Sequence, residues 1–148
     1  MAILTAFMYA NETRTDVMPN GQSTQLISTP LLALKPLFIP GQLSFSVVFG
    51  ITDFEHDKDH TVQYRLLDSN GNAVIDTGLV HLPKVIHNQA PETDGFIGNF
   101  DLRNVVLMNK GEYRTELIFD GVKLKDDIIL VKEGKLNAGN NGAKSMEP

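Results

Sequence analysis

Between Gln42 and Ile51 every second residue is apolar: Leu43, Phe45, Val47, Phe49 and Ile51. Between them stand Gln42, Ser44, Ser46, Val48 and Gly50. Successive side chains of an extended chain point to opposite faces, so this spacing predicts a strand with one face on a core and a largely polar outer face. The pattern recurs in Val62, Tyr64 and Leu66, and again in Tyr113, Thr115, Leu117 and Phe119, with Arg114 and Glu116 pointing outward. Phe96, Phe100 and Leu102 share one parity, and Gly98 among them signals a bulge or a close approach. At the start of the chain Ile3, Thr5, Phe7 and Tyr9 alternate with Leu4, Ala6, Met8 and Ala10, apolar on both faces. That segment reads as a central strand or one covered on both sides.

Turn chemistry agrees with the alternation. Asp120-Gly121 separates Phe119 from Val122 and suits a two-residue type I′ hairpin, which needs positive φ at both positions. Ser69-Asn70-Gly71-Asn72 and Asn109-Lys110-Gly111 close further hairpins, and Asn20-Gly21 closes one near the start. Pro30 to Gly41 carries three more prolines or glycines and no alternation after Leu32; it reads as an extended crossover from one sheet to the other, with a helical turn as the alternative. These signals predict one all-β domain over residues 1–133, an antiparallel β-sandwich of the immunoglobulin-like kind with about 7–9 strands. Residues 134–148, rich in Gly, Asn and Lys, read as a disordered tail.

A chain of 148 residues with 42% hydrophobic content can bury a core of ordinary size. Its net charge of −5 and scattered Lys and Arg argue against nucleic acid as a partner. No apolar run reaches the length of a membrane span, and the apolar start has no basic residue before Arg14, so a strand explains it better than a secretion leader. With no cysteine the chain has neither a disulfide framework nor a thiolate metal site, which suits a cytoplasmic setting.

Loops of a hairpin series alternate between the two ends of a sandwich. If Ala73 to His87 forms one unbroken strand, the end holding the 53–60 loop gathers His56, Asp57, Asp59, His60, His87, Glu92, Asp94 and Asp120. Gly78 and Pro83 are the positions at which that strand would break. Imidazoles and carboxylates spaced as in His56, Asp57, Asp59 and His60 suit a divalent metal, although the same charges also serve to keep a loop in water. The segment lacks the glutamate beside its first histidine that a zinc-protease helix carries. No serine elbow, phosphate-cradling glycine loop or dinucleotide fingerprint occurs, and no cofactor is expected. With no tryptophan, the sequence gives a sugar-stacking surface little to work with, although Phe38 and Phe54 fall in loop-like contexts.

Two resemblances add to this reading. Ala73-Val74-Ile75-Asp76-Thr77-Gly78 resembles the nucleophile strand of retroviral-type aspartic proteases, and Phe96-Ile97-Gly98-Asn99 their second apolar-glycine motif. The resemblance implies Asp76 as a catalytic carboxylate sharing a proton with its twin across a dimer. Leu79-Val80-His81 replaces that family's small and acidic continuation, and the interval before Phe96 is short for a flap. Over most of the chain to about Val131, the order of features is similar to a family of small uncharacterised bacterial and phage β-sandwich proteins. Those features are the apolar first strand, Ile39-Pro40 before Leu43–Ile51, Tyr64 to Asn72, Gly111-Glu112-Tyr113 and Asp120-Gly121. That likeness implies a fold and a source, and brings no catalytic residues.

The leading expectation is therefore a non-enzymatic protein-interaction module that meets a protein partner or itself through a sheet edge or end loops. The alternative is a metal- or small-ligand-binding end at His56–His60, and the remote one an Asp76-based hydrolase.

Overall fold

The computed structural model describes residues 2–17, 19–21, 23–55, 57–82 and 95–134. Ten strands lie among them: β1 (Ile3–Val17), β2 (Ser23–Leu31), β3 (Ala33–Leu34), β4 (Gly41–Thr52), β5 (His60–Leu67), β6 (Ala73–Asp76), β7 (Val80–Leu82), β8 (Gly95–Leu107), β9 (Gly111–Phe119) and β10 (Val122–Val131). One sheet has the order β2-β1-β4-β8; the other runs β3-β10-β9-β5-β6, with β7 also on β5. All described pairings are antiparallel except β3 on β10. Asp120 and Gly121 both take positive φ, 50° and 80°, as the expected hairpin turn demands.

Phe45, Val47, Phe49, Ile51 and Tyr9 from the first sheet meet Val62, Tyr64, Leu66, Leu117 and Phe119 from the second, all buried in one cluster. The two faces thus close on each other as an immunoglobulin-like β-sandwich. Burial of each such Phe or Leu side chain stabilises by about 1.5–3 kcal/mol before chain entropy is counted. At the start of β9 the buried Tyr113 donates its Oη–H to the Asn109 carbonyl at 2.6 Å, the tyrosine-corner arrangement of such sandwiches. The proline-marked segment crosses between the sheets as expected at β3, but then returns: β2 belongs to the first sheet, β3 to the second and β4 to the first again.

Several details differ from the alternation alone. In β1 the register slips between Leu4 and Ala6, so Leu4 pairs with Ile51 and joins the core parity of Phe7 and Tyr9, while Ile3 and Met8 stay exposed. A β-bulge adds one residue and moves every earlier side chain to the other face. The outer face of β4 is not open to water, since Ser46, Val48 and Gly50 are buried beside the flanking strands β1 and β8. Ser46 donates to Asp101 Oδ1 at 2.6 Å, and Asn99 donates to Thr13 Oγ1 at 3.1 Å, tying β1 to β8 across the outer face of β4. Gly98 is a close approach: a Cβ there would lie 2.9 Å from the Phe49 ring, and the pairing with β4 runs through it unbroken. The bulge of β8 falls instead near Asn104, which takes φ 54°.

Glu116 was expected to point into solvent. It does lie on the outer face of the second sheet, yet it is only 5% exposed. Arg65 Nη1 donates to one of its oxygens at 3.0 Å and Lys123 Nζ to the other at 2.9 Å. Ion pairs of Arg114 and Lys123 with Asp126, and of Arg65 with Asp76, extend the lattice across the sheet.

Candidate functional site

The strand expected from Ala73 to His87 is broken at Gly78, where φ is +68° and the chain leaves the ladder for three residues. Together with the two-residue β3, this break raises the count of described strands to ten. Both pieces nevertheless lie along β5: β6 opposite Arg65–Leu67, then β7 opposite His60–Val62. The chain is still delivered to the end that carries the 53–60 loop. His56, His87, Glu92 and Asp94 lie outside the described residues.

At this end the structure brings His60 and Asp120 together. His60 is buried between the rings of Phe119, stacked at 5.1 Å, and Phe54, edge-on at 5.0 Å. Its Nδ1 lies 2.5 Å from Asp120 Oδ2 and its Nε2 2.5 Å from the Glu55 carbonyl oxygen. Both partners can only accept, so the arrangement calls for a proton on each nitrogen, an imidazolium. Asp120 completes the tie by accepting the Thr61 amide on its other oxygen. His60 therefore fastens the 53–60 loop to the β9–β10 turn, and neither ring nitrogen is left for a metal. Asp57 and Asp59 are exposed, and among the described residues no three histidine or acidic side chains converge in a metal-holding group.

Burial opposes the charge on His60, but the Glu55 carbonyl and the Asp120 carboxylate outweigh it and raise the pKa above the ordinary 6.5. A histidine whose pKa is higher folded than unfolded contributes stability in full below the unfolded value and loses it as pH rises through the folded one. Urea midpoints are accordingly expected to fall as pH climbs from 6.5 through that raised value, and His60→Gln should remove this part of the slope. An unchanged slope in the variant would show that folding does not raise the pKa of the ring.

Asp76, the residue singled out by the protease resemblance, sits on the exposed side of β6. Gln63 Nε2 donates to its Oδ1 at 2.7 Å and the Gly78 amide at 2.9 Å, while Arg65 Nε stands 3.4 Å from Oδ2. The Gln63 and Gly78 bonds, helped by Arg65, hold the carboxyl below the usual carboxylate range. This is a turn-capping carboxylate fixed in its ionised form.

The opposite end is chemically different. Leu37 and Phe38 lie in the turn before β4, and Val106 and Met108 where β8 ends; register pairs Gly41 with Leu107 and Gln42 with Val106. All four apolar side chains are exposed, Phe38 by 67%. The turn is tight, since a Cβ at Gly41 would collide with the Phe38 carbonyl oxygen. Phe54, the other loop aromatic, is packed instead on His60, Phe96 and Phe119. Alternation gave no warning of this apolar end, because its residues stand in a turn and at a strand terminus. The available signal was large apolar residues, Leu37 and Phe38, in a proline-bounded segment with no strand parity to absorb them.

A third feature lies at the side of the sandwich, where β2 leaves β1. A cleft of about 320 Å³ opens between β1 and β10, lined among others by Phe7, Met8, Leu31, Leu32 and Ile128. Its floor includes Tyr9 and Thr115. Tyr9 Oη lies 2.6 Å from Thr115 Oγ1 and 2.9 Å from the buried Tyr64 Oη. Burial pushes the Tyr9 phenol up to about 12 despite these bonds, so all three hydroxyls remain neutral at ordinary pH.

No family model matches the chain, and no curated protein matches it. Among solved structures it is similar to a glycosyl hydrolase family 2 member from Bacteroides cellulosilyticus DSM 14838, with 13% identity and a TM-score of 0.42. The match covers 67% of this chain and 14% of that one. Among the described residues no helix is long and apolar enough to cross a membrane.

Proposed function

We propose that this chain is a non-catalytic protein-interaction module whose contact surface is the apolar end formed by Leu37, Phe38, Val106 and Met108. One observation carries the reading: four large apolar side chains are exposed on two segments that strand register brings side by side at one end of the sandwich, the turn before β4 and the end of β8. Such end loops are where sandwiches place binding residues, and contiguous exposed apolar surface marks interaction sites. The titratable groups that would serve chemistry are engaged elsewhere, His60 in a loop tie and Asp76 in a turn cap. The lack of cysteine and the resemblance to small bacterial and phage sandwiches suit a module working in a reducing cytoplasm.

The immobilised protein is expected to retain a discrete partner from a bacterial lysate that the Phe38→Ser and Met108→Ser variants lose. Both variants should keep their stability within about 0.5 kcal/mol, since neither side chain is in the core. Equal retention by wild type and variants, or no retention at all, would remove the apolar end as the contact surface.

A further inference from the structure

The cleft between β1 and β10 is bounded by two unequal strand edges. From Tyr9 onward β1 pairs with β2 on one side, but Ile3–Met8 pair only with β4. The β2 line stops at Leu31, where the chain turns away through Leu32, 97% exposed, into the other sheet. Opposite Met8 and Phe7, where a next pair of β2 residues would have stood, lies the cleft. No described strand fills that place.

Across the cleft, β10 is paired by β3 only at Leu130 and Val131. Its remaining edge is guarded. Register with β9 puts Lys125 and Asp127 on the inward parity, opposite Leu117 and Thr115, and a bulge interrupts the strand between Lys123 and Lys125. Inward-pointing charge and bulges are how sheets keep foreign strands off an edge. Lys125 Nζ also lies 3.3 Å from Asp127 Oδ2 and 5.3 Å from the centre of the Phe7 ring, so the pair of charges cancels within the cleft. The β1 edge bulges at Thr5 but is otherwise unguarded: Ile3-Leu4-Thr5-Ala6-Phe7-Met8 contains no charge and no proline, and Ala6-Phe7-Met8 run in unbroken register with β4.

The geometry points to strand addition: the open edge Ile3–Met8 receives an extended, uncharged peptide segment of a partner protein, antiparallel to β1 in the continuation of β2. Main-chain hydrogen bonds to β1 would supply affinity, and alternate side chains would enter the cleft. A cleft whose own charges are paired favours a segment without charge. The hydroxyl chain on the floor adds one preference. Tyr9 and Thr115, whose hydroxyls lie 2.6 Å apart, make a polar spot on the floor, which an inward Ser, Thr or Asn of the incoming strand would meet. The chain's own residues 135–148 are a poor candidate for this strand, because they carry two lysines and a glutamate and no two adjacent large apolar residues. This site is separate from the apolar end.

The test is selection of a displayed random dodecapeptide library on the full-length protein, followed by affinity and amide-exchange measurements with the selected peptides. Enriched peptides are expected to be uncharged and alternating, and to protect the Ile3–Met8 amides from exchange. Met8→Lys, which gives the edge a charge, should weaken them by about tenfold or more, while Phe38→Ser leaves them unchanged. Loss on Phe38→Ser with no effect of Met8→Lys would place binding at the apolar end and overturn the inference. Absence of enrichment, or protection outside Ile3–Met8, overturns it as well. So does a dimer at micromolar concentration that Met8→Lys dissolves, since the open edge would then belong to a second copy.

Discussion

Phe49→Ala is expected to destabilise the fold by about 3–5 kcal/mol, whereas Phe38→Ala should cost less than about 0.5 kcal/mol. The residue type is the same and the surroundings are opposite. Phe49 stacks on Phe100 at 5.6 Å and meets Phe96 edge-on at 6.0 Å, and its ring leaves no room for a Cβ at Gly98. Truncation there would open a cavity that the close-packed glycine strand has no side chain to fill. Phe38 stands in water and loses nothing on truncation. Urea unfolding of both variants, read as midpoint shifts at constant slope, checks the contrast. Similar midpoints for the two would contradict the assignment of the core face of β4.

The second large effect concerns the buried hydroxyls. Tyr9→Phe is expected to cost about 2–4 kcal/mol, because it strands both Tyr64 and Thr115 without a partner in the core. Replacing all three together, by Phe, Phe and Val, should cost less than Tyr9→Phe alone. The triple variant removes every group that needs satisfying and keeps nearly the same volume. Chemical denaturation of the single and triple variants gives the comparison directly. A triple variant less stable than the single would mean that the hydroxyl chain is a net source of stability in itself.

Alternation was enough to read the core. Phe45, Val47, Phe49 and Ile51, and likewise Val62, Tyr64 and Leu66, are buried as their parity requires, because one slab of apolar side chains must close on another. Turn chemistry placed the Asp120-Gly121, Asn109–Gly111 and Ser69–Asn72 turns between the right strands. Parity failed where the backbone adds a residue, as at Thr5, and where an outer face gains a cover, as at Ser46 and Glu116. Neither a bulge nor a cover has a local signature, since each depends on strands distant in sequence. Of the histidine-bearing end, only the sharing of one end by His60 and Asp120 was legible from hairpin alternation; their direct bond was not. The direction of the His60 ring was not, because it is set by Phe54, Phe119 and the Glu55 carbonyl across the loop.

The crossover through the prolines has a practical side. Lys132 donates its amide to the Leu34 carbonyl at 3.0 Å and Gly134 to the Pro36 carbonyl at 2.7 Å, so the chain leaves β10 alongside the turn that presents Phe38. Anything joined after Gly134 therefore sets out from the rim of the apolar end. A reporter or affinity tag fused there would crowd the surface it is meant to interrogate, whereas a tag ahead of Ile3 would crowd the open edge of β1. Surface attachment through an introduced cysteine at Asp57, in the exposed loop between β4 and β5 at the other end of a chain with no cysteine of its own, keeps clear of the apolar end.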